Sequence, residues 1–366
     1  MRFIQPLSEQ ATDIIGDIHG EYEALLALLD RLGYAENGNH PQGRKLVFTG
    51  DLVDRGPDSP AVMEKVIKLV ESGVAHCVLG NHELNILRGV SKGGNDWLLK
   101  DAPSSDSSAN HQMATADQRQ RFLHFLDQLP FVLEGPHLRI VHACWNSAAV
   151  ESLRQLEQES QSINQSYNQV EQNIVTGLDA QLGRESQLQE LARYSAQVSD
   201  PDWEARLLPG HAEVAIAFQM KNPFRILTTS EEKITQTPYW AGGKWRMTER
   251  SRWWDYYDEQ VPVVIGHFWR LFNRDAKRIA GMFGPDVFKG IASHDWMGKQ
   301  HNVYCVDYSV GQRHLERKQD DREDFHGKLA ALRYPEWDVM QDDGVVIPVG
   351  SPGLKRQVSG TTDSSR

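Results

Sequence analysis

Short apolar runs and amphipathic stretches alternate through the first 150 residues. The runs at 13–17, 45–51 and 75–79 have the length and composition of buried strands. Between them, apolar residues recur at three- and four-residue spacing, at Leu25, Leu28, Leu29 and Leu32 and again at Val62, Val66, Ile67 and Val70. That spacing is typical of helices that pack one face on a sheet. The pattern predicts an α/β fold, with the second helix opening at Pro57 and a hairpin formed by residues 131–133 and 138–142.

Residues 151–260 have a different pattern, and their first half is glutamine-rich, with ten Gln between positions 151 and 200. Apolar positions are spaced three, four or seven apart, at Leu153, Leu156, Ile163, Tyr167, Val170, Ile174, Leu178 and Leu182. This predicts an amphipathic helical hairpin or cap. We interpret it as a structural lid rather than a partner-binding coiled coil, because the stripe is too short to be stable alone.

The strand pattern returns after the insertion, at residues 261–267, 303–307 and 345–348. The last residues are a mixture of Gly, Ser, Thr and Lys that has no apolar surface to bury, which is typical of disorder. We therefore expect four segments: a first core part at 1–150, an inserted helical, Trp-rich cap at 151–260, a second core part at 261–350 and a disordered tail at 351–366.

Composition narrows the possible partners. The chain has 39 Lys plus Arg against 50 Asp plus Glu, a formal net charge of −11, so it lacks the basic footprint that nucleic-acid duplexes require. No run approaches the ~18 apolar residues of a membrane span, and the N-terminus has no apolar signal core. Cys77, Cys144 and Cys305 form no CxxC pair and indicate reduced thiols. We expect a cytoplasmic protein that contacts neither membrane nor duplex.

Potential metal ligands follow the predicted strands. They are Asp17, His19, Asp51, Asn81, His82, His142 and His267. In open α/β sheets, sites form beyond the carboxyl ends of the strands, so these side chains are expected to meet. Mixed carboxylate and imidazole ligands suit Mn, Fe or Zn better than calcium. Two ions are expected, one clamped by Asp17 and His19 and bridged by Asp51 to a second that Asn81, His142 and His267 complete.

Three sequence blocks, in order and spacing, resemble the signature motifs of the calcineurin-like metallophosphoesterases. They are Gly16-Asp17-Ile18-His19-Gly20, Gly50-Asp51-Leu52-Val53-Asp54-Arg55-Gly56 and Gly80-Asn81-His82-Glu83. The Asp-Arg-Gly ending of the second block is similar to the phosphoprotein phosphatase branch, which includes serine/threonine phosphatases and bacterial diadenosine tetraphosphatases. His142-Ala143 replaces the His-Gly-Gly of the eukaryotic enzymes, which favours a bacterial-type member.

The resemblance implies a layered α/β/β/α sandwich with the cap inserted between its two core parts. It also implies two divalent transition-metal ions held by the ligands above. By the same resemblance, His82 would protonate the leaving oxygen and Asp54 would orient it, while Arg55 and Asn81 would contact the phosphate. A second phosphate-binding arginine is usual in the family; we place it at Arg252, with Arg246 and Arg250 as rivals.

The function implied is hydrolysis of phosphate monoesters, on a protein or a small molecule, through in-line attack by a metal-bound hydroxide. The alternative is a dinucleoside polyphosphate hydrolase of the diadenosine tetraphosphate type. A fold that has lost catalysis is a third hypothesis, but every ligand position is filled. Five tryptophans precede or follow His267 closely in sequence, at Trp240, Trp245, Trp253, Trp254 and Trp269. They either pack the cap on the sheet or form an aromatic wall beside the metals.

Overall fold

Three parallel strands that each end in a polar loop form one half of the larger sheet. The protein is described by a computed structural model that covers residues 2–92, 94–100, 112–159, 161–181, 183–272, 284–319 and 324–353. The strands β1 to β4 are Ile4–Pro6, Thr12–Ile15, Lys45–Phe48 and Ala75–Cys77. Register pairs Ile15 with Phe48 and Phe48 with Cys77, so β2, β3 and β4 end at the same edge of the sheet.

The remaining strands complete two sheets and a hairpin. They are β5 Val132–Glu134, β6 Arg139–Val141, β7 Glu232–Ala241, β8 Lys244–Arg250, β9 Val263–Ile265, β10 Val303–Cys305, β11 Ala330–Tyr334, β12 Asp338–Gln341 and β13 Val346–Pro348. One sheet has the order β13-β12-β11-β2-β3-β4, and the other β1-β5-β6-β9-β10. β5 and β6 pair antiparallel, which confirms the predicted hairpin. The strand predicted at 75–79 ends two residues earlier, at Cys77.

The two sheets pack face to face. Successive strand side chains point to opposite faces, and Ile14 and Val47 of the larger sheet form one apolar cluster with Ile140 and Val264 of the smaller. Their neighbours, such as Phe48, instead join the cluster that contains the helices. The chain therefore has the layered α/β/β/α arrangement that was predicted.

The helices are α1 Tyr22–Leu32, α2 Ser59–Glu71, α3 Asn81–Leu87, α4 Asp96–Leu99, α5 Ala116–Leu126, α6 Ser147–Leu156, α7 Ile163–Asp179, α8 Arg184–Tyr194, α9 Pro209–Met220, α10 Pro223–Thr229 and α11 Arg313–Gln319. The second does not open at Pro57. Asp58 is its N-cap, and the Asp58 carboxylate accepts a hydrogen bond of 2.9 Å from the Ala61 amide. A capping carboxylate satisfies an otherwise unpaired amide, so the helix begins at Ser59.

The described part of the insertion contains the end of α6, the helices α7 to α10 and also a two-stranded hairpin, β7–β8, which the sequence did not predict. Ile163 and Tyr167 of its apolar stripe join the main core, and Ile174 and Leu178 pack on Ala217 of α9. Leu182 and most of the predicted tail, residues 354–366, lie outside the described residues. No described helix is long and apolar enough to cross a membrane. All three cysteines are buried and free.

Candidate metal centre

The loops after β2, β3 and β4 meet at one edge of the larger sheet. The carbonyl of Asp51 accepts hydrogen bonds of 2.9 Å from the amides of both Ile18 and His19, which ties the first two loops together. Asn81 and His82 open α3 directly after β4. The His82 amide donates to Asp51 Oδ1 at 3.0 Å. The strand register thus brings the three sequence blocks into contact.

The smaller sheet completes the cluster from the opposite side. His142 follows β6 and His267 follows β9, and both are buried. The His267 amide donates to the carboxylate of Asp17, 3.1 Å from each oxygen. A Cβ on Gly266 would overlap Asp17 Oδ1, so only glycine allows this close approach.

Two groups of buried ligand atoms share Asp51. His19, Asp51 and His82 form one, and Asp51, His142 and His267 form the other, with ligand atoms within 4.8 Å of one another in each. Asp17 adjoins the first group, since its Oδ2 lies 3.9 Å from His19 Nε2. The structure therefore brings together all seven predicted ligand-type residues, with Asp51 between the two groups.

The histidine tautomers suit metal binding. His19 Nδ1 lies 3.0 Å from the Val53 carbonyl oxygen, and His142 Nδ1 lies 2.7 Å from that of Thr49. A carbonyl can only accept, so Nδ1 carries the proton in both rings. In the neutral rings Nε2 is then the acceptor atom. That of His19 lies 2.8 Å from Arg55 Nη1 and that of His142 lies 3.4 Å from Asp51 Oδ1, so both face the cluster, as in most metal-binding histidines.

Unsatisfied acceptors are a second sign that the cluster suits cations. Asn81 Oδ1 lies 3.2 Å from His142 Nε2. If the side-chain amide of Asn81 were rotated by a half turn, its nitrogen could donate to His142 Nε2 and, at 2.8 Å, to His267 Nδ1, and its oxygen could accept from the His82 amide. His267 Nε2 is buried without a hydrogen-bond partner among the described residues. Buried polar atoms are costly when unpaired, and a cation would satisfy several of them at once.

The charges of the cluster give the same indication. Burial and then the neighbouring carboxylate of Asp307 raise the pKa of Asp17 well above its ordinary value. Burial opposes protonation of His142, but the nearby Asp51 outweighs it and raises the pKa of His142 to about 10. Crowded carboxylates in a buried site attract positive charge. The ligand set therefore fits divalent transition metals by donor type and by electrostatics.

His82 is held by a chain of buried hydrogen bonds. Its Nδ1 lies 2.5 Å from Asp54 Oδ2, and Trp97 Nε1 donates to Asp54 Oδ1 at 2.7 Å. The amide of Asp54 donates to Ser59 Oγ at 2.9 Å. Burial lowers the pKa of His82, but Asp51 and the bond to Asp54 outweigh this effect and raise it. Asp54 thus fixes the ring with Nε2 facing the cluster.

Arg55 lies above both histidines of the first group. Its Nη1 is 2.8 Å from His19 Nε2, and its Nη2 is 3.2 Å from His82 Nε2. Its guanidinium carbon lies 4.2 Å from the centre of the Trp269 ring. Stacking on an aromatic face fixes the plane of a guanidinium, so Trp269 holds the fork of Arg55 over the cluster.

Backbone strain is concentrated at this edge of the fold. Ten described non-glycine residues have positive φ. Six of them belong to the cluster or contact it, namely His19, Asp51, Asp54, Arg55, His267 and Trp269. Such conformations cost about 1–3 kcal/mol each and persist mainly where function requires them. Their grouping is independent of the ligand pattern and indicates the same site.

Arg252, the predicted second phosphate arginine, has other partners in this structure. Arg252 donates to the Lys289 carbonyl at 2.9 Å and forms a salt bridge with Asp255. Arg250, one of its rivals, is half-buried at the end of β8. Burial, followed by the charge of Arg250, lowers the pKa of His267. The Arg250 guanidinium also lies 5.4 Å from the ring of Phe268, the residue after His267, so Arg250 is the better placed of these two arginines.

Sequence analysis also missed Asp307. This buried carboxylate accepts hydrogen bonds from the amides of Trp269 at 2.7 Å and Ser309 at 2.8 Å. Burial raises the pKa of Asp307. The signal was present, since Asp307 follows an apolar strand as Asp17 does.

The five tryptophans serve different purposes. Trp253 and Trp254 are fully buried in the main core, as packing predicts. Trp240 and Trp245 pair across the β7–β8 hairpin, with ring centres 5.8 Å apart. Of the five, Trp269 is the one whose ring lies against Arg55 and His19. Of the five tryptophans of the predicted aromatic wall, Trp269 is therefore the one that lies at the cluster.

Comparison with known proteins agrees with the motifs. Residues 12–165 match the calcineurin-like phosphoesterase family. The asymmetrical bis(5′-nucleosyl)-tetraphosphatase PrpE of Bacillus velezensis is 35% identical over 141 residues, which are 36% of this chain and 56% of the relative. Its namesake from Geobacillus thermodenitrificans is 52% identical over 73 residues, 19% of this chain and 30% of the relative. The chain thus spans about half or less of these relatives.

Among solved structures, a cold-active protein-tyrosine phosphatase of a psychrophilic Shewanella species aligns with a TM-score of 0.45 and 14% identity. The alignment covers 96% of this chain and 83% of that one.

Proposed function

We propose that this protein, whose residues 12–165 match the calcineurin-like phosphoesterase family, is a metal-dependent phosphoric ester hydrolase. The observation that carries the proposal is the pair of buried ligand groups that share Asp51, with the guanidinium of Arg55 directly above them. A buried cation site beside a half-buried, phosphate-binding guanidinium is suited to hydrolysis of phosphate esters.

The metal ions would be two divalent transition metals, Mn, Fe or Zn. Asp17, His19 and Asp51 would hold the first, and Asp51 with Asn81, His142 and His267 would hold the second. When bound, such a pair lowers the pKa of water and neutralises charge at a transferring phosphoryl group.

The side chains of the protein would bind and orient the phosphate. Arg55 would donate two parallel hydrogen bonds, a geometry that guanidinium serves better than an ammonium group. The amide of Asn81 would reach a further phosphate oxygen. His82 would give the proton on Nε2 to the leaving oxygen, while Asp54 keeps Nδ1 protonated and the ring in place.

Phosphate monoesters, on a protein or a small molecule, are our leading substrate class. The alternative is a dinucleoside polyphosphate, and the names of the PrpE relatives favour it. Both substrate classes would be hydrolysed by the same chemistry at the same cluster. Only a comparison of turnover on the two substrates can therefore distinguish them.

The test is turnover of p-nitrophenyl phosphate and of diadenosine tetraphosphate by the purified chain. Protein stripped with a chelator is expected to be inactive and to recover when Mn, Fe, Zn or Mg is restored singly. Recovery with either substrate supports the hydrolase. No turnover of either substrate, in protein shown to contain two metal ions, would contradict it and favour the inactive fold.

The two neighbouring arginines give a matched pair of variants. We expect Arg250→Ala to lower kcat/KM on p-nitrophenyl phosphate by about 10–100-fold, the worth of one charge-assisted hydrogen bond. Arg252→Ala should leave kcat/KM unchanged, because that side chain is bound to Asp255 and Lys289. If Arg252→Ala lowers kcat/KM more than Arg250→Ala does, Arg252 is the phosphate-binding arginine, as predicted from the sequence.

A further inference from the structure

The β7–β8 hairpin has two chemically different faces. Register pairs Tyr239 with Arg246 and Ala241 with Lys244, so these residues share one face. The other face carries Met247, which packs on Leu208 and Ala212 of the helical insertion. Since that second face is covered, the first is the one that turns away from the insertion's helices.

Three cations follow one another along this first face of β8. Lys244, Arg246 and Arg250 stand two and four residues apart, and strand side chains of the same parity point to the same side. At about 3.3 Å per residue the row spans roughly 20 Å. Its inner end is Arg250, whose guanidinium lies 5.4 Å from the ring of Phe268, the residue after His267, and its outer end is the hairpin turn.

The cations of the row are not neutralised by direct pairing. Within the described part of the chain, Lys244, Arg246 and Arg250 form no salt bridge; Arg246 Nε donates to the Ala241 carbonyl at 2.9 Å, and Arg250 lies 5.4 Å from the Phe268 ring. Glu232, opposite Arg250, accepts instead from Thr248 Oγ1 at 2.5 Å.

Positive charge is also concentrated around the outer end of the row. Partial burial, then Arg246 and Lys92, lower the pKa of Lys244. Like charges held together are unfavourable unless an anion neutralises them. The net charge of −11 makes this local excess of cations more notable.

We propose that Lys244 and Arg246 bind the phosphates of an oligophosphate chain beyond the one that is cleaved. This inference rests on the proposed hydrolase and favours the alternative substrate class, the polyphosphates, over the monoesters. A simple monoester has one phosphate, which Arg55 and Arg250 suffice to bind. A linear row of cations that form no salt bridge within the described residues fits a linear polyanion, and the acidic chain as a whole disfavours a long nucleic-acid strand.

The test uses the Lys244→Ala/Arg246→Ala double variant of the full chain. Its kcat/KM on diadenosine tetraphosphate should fall by roughly tenfold or more for each cation removed, while kcat/KM on p-nitrophenyl phosphate stays unchanged. Inorganic tripolyphosphate should bind the metal-free double variant correspondingly more weakly by calorimetry, and its binding should depend less on salt.

Lys233→Ala is the matched control, because Lys233 lies on the same hairpin, on the opposite face, and pairs with Glu249. The Lys233→Ala substitution should change kcat/KM on neither substrate. Equal losses on both substrates, or unchanged tetraphosphate turnover and tripolyphosphate binding, would overturn the inference. If the unaltered protein hydrolyses neither substrate, the proposed function fails, and tripolyphosphate binding still decides whether the row binds phosphate.

Discussion

Asp51→Asn is expected to lower kcat/KM on p-nitrophenyl phosphate by about 10³-fold or more and to reduce the metal content of the protein. Asp51 belongs to both ligand groups, so its loss affects both metal positions. Asparagine keeps the shape of the side chain and one oxygen but removes the charge. Metal ions contribute several kcal/mol to such reactions, and 10³-fold corresponds to about 4 kcal/mol. Steady-state kinetics and metal analysis on one sample measure both effects.

Asp30→Asn is the control for this variant. Asp30 is an exposed carboxylate in α1, so its neutralisation should alter neither metal content nor rate. Circular dichroism confirms that both variants are folded. Unaltered rates in a folded, metal-loaded Asp51→Asn protein would contradict the proposed role of Asp51.

The candidate site was predictable from sequence where residues directly follow strands. Asp17, Asp51 and Asn81 come just after three neighbouring parallel strands whose ends are level. Strand register alone then brings their side chains together, with no need to know the loops. The two later histidines were predicted for the same reason, because β6 and β9 are adjacent in the second sheet.

The second phosphate-binding arginine could not be chosen in the same way. Alternation places Arg250 and Arg252 on the same side of an extended chain, so the sequence cannot rank them. In the structure β8 ends at Arg250, and a 3₁₀ turn begins at Trp253. The chain direction changes between the two residues, and Arg252 turns to Asp255.

The hairpin itself was missed for a related reason. The paired positions shift between Ile234 and Tyr239, which interrupts the period of two that signals a strand. The tryptophans and long polar side chains of this segment also resemble those of the rest of the insertion, so its composition did not indicate strands. Positive φ at His19 or His267 depends on neighbouring loops that hold the chain in place, and local residue preferences contain no such information.

His82→Ala is expected to lower kcat by about 10²–10⁴-fold on esters with a poor leaving group, the usual contribution of a positioned acid. The loss should be larger on phenyl phosphate than on p-nitrophenyl phosphate, because the nitrophenolate departs without needing a proton. Asp54→Asn should reproduce the same dependence on the leaving group with a smaller loss, since Asp54 acts through the 2.5 Å contact to His82 Nδ1.

The leaving-group comparison separates acid catalysis from a structural effect. A variant that merely disturbs the cluster should slow both esters equally, since binding and metal retention do not depend on the leaving group. His76→Ala is the matched control, because His76 lies in β4, before the loop that leads to Asn81 and His82 of α3, and belongs to neither ligand group. Equal losses on the two esters in His82→Ala would mean that His82 stabilises the cluster and that another group protonates the leaving oxygen.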